Sequence, residues 1–153
     1  MNNITENFRL PRYKEIPDIG LYLEQTVSYI NNMLSIIDIS ITSSMLSNYV
    51  KKGYVTHPVR KKYYPEQISY IIFIVIVKQV LSMENISALF SLQKSTYPLP
   101  VAYDFFCSKL EKTLSEIYEG NSDFATSPVQ FPFEKKIINS VITTTAQIIY
   151  LND

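Results

Sequence analysis

Apolar residues recur along this chain at spacings of three and four, in stretches separated by short polar breaks. Leu21, Leu23, Val27, Ile30, Leu34 and Ile37 share one helical face, and Asp18 stands ahead of them as an N-cap. That spacing predicts a helix over about 19–36. A second helix begins at the Thr42 cap, carries Met45, Leu46, Tyr49 and Val50, and stops at Gly53, a residue suited to helix ends. Helical period then lapses. Gly53 to Tyr64 holds Pro58 and the β-branched Val55 and Val59, which predicts a short two-stranded hairpin.

Pro65-Glu66 opens the next helix, with proline favoured at the first helical position and the acid complementing the dipole. The run Ile71 to Val77 is β-branched enough for a buried strand, but its flanks extend it to about Leu81. The reading kept is a helix buried nearly all round. Ser82 caps a shorter helix, Met83 to about Phe90, and Gln93 to Pro100 reads as a linker. Tyr103, Phe106, Cys107, Leu110, Leu114 and Ile117 mark a helix over about 101–119, ended by Gly120. Asn121 to Pro132 reads as a polar loop, and a last helix covers roughly 133–150. At the other end, Met1 to Asn7 is expected to fray, and Phe8 to Pro17 is held extended by Pro11 and Pro17.

Composition narrows the function classes. Formal charge is zero, from 14 basic and 14 acidic residues, which argues against a strongly basic coat for nucleic acid. The distribution is uneven. Residues 1–81 carry nine Lys/Arg against six Asp/Glu, and residues 82–153 carry five against eight. Three glycines leave little for phosphate-cradling loops, and no Cys/His cluster offers a metal site. No cofactor is expected. One cysteine and no secretory pattern at the start point to the cytoplasm. The run from Ile68 to Leu81 falls short of the roughly 20 residues that span a bilayer.

The densest charge bias lies between Lys51 and Lys62, with five basic residues and no acid. The helix before it presents Thr42, Ser43, Ser44, Ser47 and Asn48, then Lys51 and Lys52. The hairpin carries His57, Arg60, Lys61 and Lys62 ahead of Tyr64. Hydroxyls and amides near a helix start suit base edges or phosphates in a major groove. Lys and Arg on the adjoining loop suit phosphates and fix register. These twelve residues are the candidate contacts to double-stranded DNA. About five phosphate contacts per subunit bind weakly alone and strongly as a homodimer.

The segment from Thr42 through Val55, then Pro58-Val-Arg-Lys-Lys-Tyr-Tyr64, Ile68 to Leu81, and Ser82 to Phe90 resembles the mercury-resistance-regulator (MerR) pattern. That resemblance covers about 50 residues. It implies a recognition helix, a basic wing, a supporting helix and a short following helix. One departure stands out: a long helix and Ile37 to Ile41 precede the recognition helix, where that family's first helix lies only a few residues before it.

Nearly the whole chain is similar to an uncharacterised bacterial family, domain of unknown function 1836. The residues that carry this are Leu10-Pro-Arg-Tyr13, Ile16-Pro17, Leu21-Tyr22 with Gln25, Thr42-Ser-Ser-Met45, Asn48-Tyr49-Val50-Lys51 and Lys61-Lys-Tyr63. Membership implies no established activity. The expected fold is all-α or mainly α: a winged helix-turn-helix with a short β-hairpin wing, plus a C-terminal helical hairpin. Residues 1–92 form the DNA-binding region and residues 93–153 a helical region for dimerisation or an effector ligand.

Catalysis has little support, since the single histidine, His57, has no nucleophile arrangement around it and reads as a surface residue. Cys107 falls on the apolar face of its helix, as a small buried hydrophobe does. Tyr22, Tyr29, Tyr49, Tyr63, Tyr64, Tyr70 and Tyr103 read as core residues or as the lining of an effector pocket. Two functions fit: a sequence-specific DNA-binding regulator, and a helical protein-interaction module on the same scaffold.

Overall fold

The computed structural model describes residues 3–120 and 133–153, and they are mainly helical. Helix α1 (Asn3–Asn7) and a 3-10 turn (Tyr13–Glu15) precede α2 (Leu23–Leu34), which tightens into a second 3-10 turn (Ser35–Ile37). Then come α3 (Ser43–Lys51), α4 (Pro65–Val77), α5 (Met83–Thr96), α6 (Leu99–Tyr118) and α7 (Phe133–Leu151). No helix of the described residues is long and apolar enough to cross a membrane.

The β-branched run becomes the central helix. Ile68, Ile71, Ile72, Ile74, Val75, Ile76 and Val77 of α4 are all buried, so the helix is enclosed by its neighbours. Burial on every side outweighs the strand preference of the β-branched residues, which is a weak prior beside packing. Pro65 fills the first position, and the Tyr64 N–H donates to the Gln67 Oε1 at 2.9 Å.

Helix α2 starts later than the spacing predicts. Gly20 takes a φ of 87° and Leu21 pairs with Tyr63, so Tyr22 rather than Asp18 is the N-cap. Helix α5 runs on through Gln93 to Thr96, residues expected as linker: Pro98 forces only Tyr97 before it into extended backbone, and Pro100 sits in the first turn of α6, where proline is tolerated. The N-terminal residues described are not frayed: α1 packs on α6 with Ile4 buried.

The expected hairpin does not form strands. Among the described residues there are only two isolated antiparallel bridges, Val59 with Lys62 and Leu21 with Tyr63. The physical reason lies in Gln67. Val59 and Lys62 exchange both backbone hydrogen bonds, so the next such rung would join His57 and Tyr64. The Gln67 side chain takes both groups instead, accepting from Tyr64 N and donating to His57 O at 3.1 Å. Pro58, between them, has no N–H to offer. The outer arm also turns away, with Tyr54 N and Val55 N donating back to Tyr49 O.

The C-terminal pair is not an antiparallel hairpin either. Near their starts, Lys135 Nζ of α7 lies 5.4 Å from the Phe105 ring of α6. At their ends, Tyr118 and Tyr150 meet edge-on at 5.1 Å. The helices therefore run parallel. Residues 121–132, expected as a polar loop, lie outside the described residues.

An arm from the N-terminus docks on α6. The Glu111 carboxylate accepts from Leu10 N at 2.8 Å and from both Arg12 Nη atoms at 2.7 and 2.9 Å. Tyr13 N donates to Asp104 Oδ1 at 2.8 Å, and Tyr103 Oη donates to Pro11 O at 2.8 Å. Phe8, Leu10 and Ile16 are buried beside these polar ties. The arm, expected extended to Pro17, winds instead into the 3-10 turn at Tyr13–Glu15, where Glu15 N donates to Arg12 O, and α6 supplies partners for the backbone on either side of Arg12.

Candidate nucleic-acid interface

Helices α2 and α3 follow one another through a turn that a side-chain amide closes. Asn31 of α2 donates from Nδ2 to Ile41 O at 2.9 Å and accepts from Ile41 N at 2.8 Å. This fixes the turn just ahead of the Thr42 cap, between α2 and α3. The buried face of α3 is Leu46, Tyr49 and Val50. Opposite it, Ser44, Ser47, Asn48 and Lys51 are all exposed at helical spacing, with Lys52 exposed beyond them.

The first two hydroxyls of the candidate set are already engaged. Thr42 Oγ1 accepts from Met45 N at 3.1 Å, and Ser43 Oγ donates to Glu24 Oε1 at 2.7 Å. The Glu24 carboxylate thus stands at the α3 N-terminus, where the helix dipole would otherwise draw a phosphate. Sequence reading missed Glu24, since nothing in its spacing announces a contact nineteen residues away. Four of the five basic residues stay exposed, and His57 is exposed too.

Arg60 and Lys61 sit at the tip of the turn with φ of 51° and 68°. Both central residues are left-handed, the conformation of a tight two-residue turn that usually selects Asn or Gly. Their side chains project into solvent. Lys62 differs: it is half-buried, with Nζ 5.2 Å from the Tyr22 ring. A Cβ placed on Gly20 would lie 2.9 Å from both Lys62 Cδ and Tyr64 Cζ, so these side chains fill the space that glycine leaves. Lys62 and Tyr64 therefore brace the turn against the segment before α2. The sign legible in the sequence was Gly20 beside Leu21-Tyr22, a glycine that helix α2 does not need.

Two of the three basic residues of the N-terminal arm are paired, and the third, Lys14, is exposed. Arg9 pairs with Glu15 at 2.8 Å and Arg12 with Glu111 at 2.7 Å. The exposed cations at this face are thus Lys51, Lys52, Arg60 and Lys61. Among the described residues no group of acids, histidines and cysteines could hold a metal ion.

The model of one protein family, described as Domain of unknown function (DUF1836), matches residues 11–106, more than half of the chain. That span takes in the docked arm, the helix pair, the basic turn and the central helix. No curated protein and no solved structure matches the chain.

Proposed function

For a chain that belongs to the DUF1836 family, whose function is unknown, we propose sequence-specific binding of double-stranded DNA by α3 and the basic turn. The observation that carries this reading is the exposed face Ser44, Ser47, Asn48 and Lys51, continued by Lys52 and accompanied by the Arg60-Lys61 tip. A helix with an amide and hydroxyls along one exposed face can read base edges, and lysines at its end meet phosphates. The turn acts as a wing, though one without strands. Residues 1–92 carry the contact and residues 93–153 pair two copies as a regulator of transcription. Two copies double the phosphate contacts, which a near-neutral chain needs for useful affinity.

The test is fluorescence polarisation against duplexes from the protein's own genomic neighbourhood, at several salt concentrations. Replacing Lys51, Arg60 and Lys61 with Ala should weaken binding to all duplexes. The salt slope should flatten by about 0.9 for each phosphate that a protomer no longer neutralises. Asn48→Ala should weaken only the preferred duplex, by roughly 1–3 kcal/mol. Unchanged affinity in both variants would sink the reading.

A second reading rests on Ile19, Tyr22 and Val59, exposed at 75%, 51% and 56% around Lys62. Exposed apolar residues beside the turn suit a protein partner. Absence of binding to any duplex, with salt-insensitive binding to a protein, would favour it.

A further inference from the structure

Between α4, α5, α6 and the start of α7 the described residues line an apolar pocket of about 160 Å³, partly open to solvent. Aromatic rings dominate its wall. Tyr70 meets Phe90 edge-on at 4.5 Å, and Phe73 meets Phe106 at 4.8 Å, with Tyr97 and Phe105 beside them. The polar groups of α4 and α5 in this wall are bonded to one another. Tyr70 Oη donates to Gln93 Oε1 at 2.7 Å, and Gln93 Nε2 donates to Tyr97 O at 2.9 Å.

Lys135 is the one charged side chain among the described lining residues. It is half-buried, its Nζ 5.4 Å from the Phe105 ring and 5.8 Å from the Tyr97 ring. No carboxylate of the described residues pairs with it. A second ammonium, on Lys94, stands 5.5 Å from the Tyr70 ring. The site is thus a ring-lined space with positive charge at its edge and, among the described residues, no acid paired with Lys135.

We propose that this cavity binds a small single-ring aromatic carboxylate, with the ring among the aromatic side chains and the carboxylate on Lys135. Size limits the ligand. A closed cavity of roughly this volume holds one benzene ring, so the pocket takes one ring, and its open side leaves room for the charged group. Charge selects the acid, because a carboxylate gives the Lys135 ammonium the strong partner that ring faces supply only in part. A lysine merely laying its stem on aromatic surface would gain nothing from an anion. Tyr70 and Tyr103, read from sequence as core or pocket, serve both roles here. Occupancy of the cavity does not depend on DNA binding.

Isothermal titration calorimetry of the full chain with phenylacetate and neutral phenylacetamide tests it. Phenylacetate should bind saturably and about 10-fold more tightly than the amide, a difference of roughly 1.4 kcal/mol. Lys135→Met should erase that difference while leaving the ring bound. Ala102→Phe, which fills the cavity, should remove both ligands. Should that variant fail to fold, methyl chemical shifts in the native chain locate the ligand, and Leu89, Leu99 and Ile138 should move on titration. No saturation at millimolar ligand, equal affinity for acid and amide, or shifts confined to remote methyls such as Ile30 and Val55 would overturn the proposal.

Discussion

Arg60 and Lys61 are the two side chains whose backbone argues most directly for a use. An L-residue in the left-handed region costs roughly 1–2 kcal/mol, and here two basic residues adopt it in succession. Stability alone would select Asn-Gly at such a turn. Their retention at an exposed tip is consistent with a contact made by charge. Lys61→Gly should therefore raise the urea midpoint, the stability gain being up to about 1 kcal/mol after the added freedom of the unfolded chain is counted. The same change should weaken DNA binding. Lys61→Ala, which keeps the strained backbone, should weaken binding without the gain. A midpoint unmoved by glycine would mean that the backbone there is not costly. The basic character of this turn was legible in the sequence, but its division of labour was not. Lys62 looks like its neighbours in a Lys/Arg run, and only its packing on Tyr22 and Gly20 separates a brace from a free cation.

Between elements, side-chain amides do what longer strands would otherwise do. Gln67 is 5% exposed and takes one donor and one acceptor of the missing rung, Tyr64 N and His57 O, while Asn31 closes the turn from α2 to α3. An amide suits such work because it donates and accepts at once. Gln67→Leu would leave a backbone donor and acceptor without partners, at roughly 1–3 kcal/mol. Hydrogen exchange at the Tyr64 amide should quicken about 10-fold or more. If exchange stays slow, Gln67 is not what holds the turn. The hairpin was expected because turn residues flank β-branched ones, a local signal. It failed because a buried glutamine from the next helix competes for the same backbone groups. The parallel course of α6 and α7 was equally hidden. Their apolar faces specify that they pack, and either direction buries those faces.

The arm that crosses α6 ties the start of the chain to its second half. Cys107 lies beneath it, its Sγ 3.8 Å from Pro11 O. Burial pushes the Cys107 thiol up from its ordinary 9.0 to about 12. Burial likewise raises Tyr103, which donates to the same carbonyl. The sign for stability follows from which state keeps its protons. Above pH 9.0 the unfolded thiol ionises while the folded one stays protonated to about 12. The native state then holds more protons, and stability falls as pH rises through that window, by at most about 1.4 kcal/mol per unit. Urea midpoints measured from pH 8 to 11 should fall, and Cys107→Ala should remove the part due to the thiol. A thiol reagent should leave Cys107 unmodified at pH 8 until urea is added. Rapid labelling of the folded chain would contradict the burial.

Helical periodicity, caps and prolines determine by themselves that this chain is mainly helical and where most of its helices lie. Those signals are local, set by residues within a turn or two of one another. The basic turn and the exposed face of α3 are legible for the same reason. Tertiary structure alone decided that Gln67 replaces strand pairing, that Glu24 attends the start of α3, and that α6 and α7 run parallel. It also gathered rings from three helices into one pocket with Lys135 at its edge. Each of these joins residues far apart in the chain, and sequence spacing carries no information about which distant groups will meet.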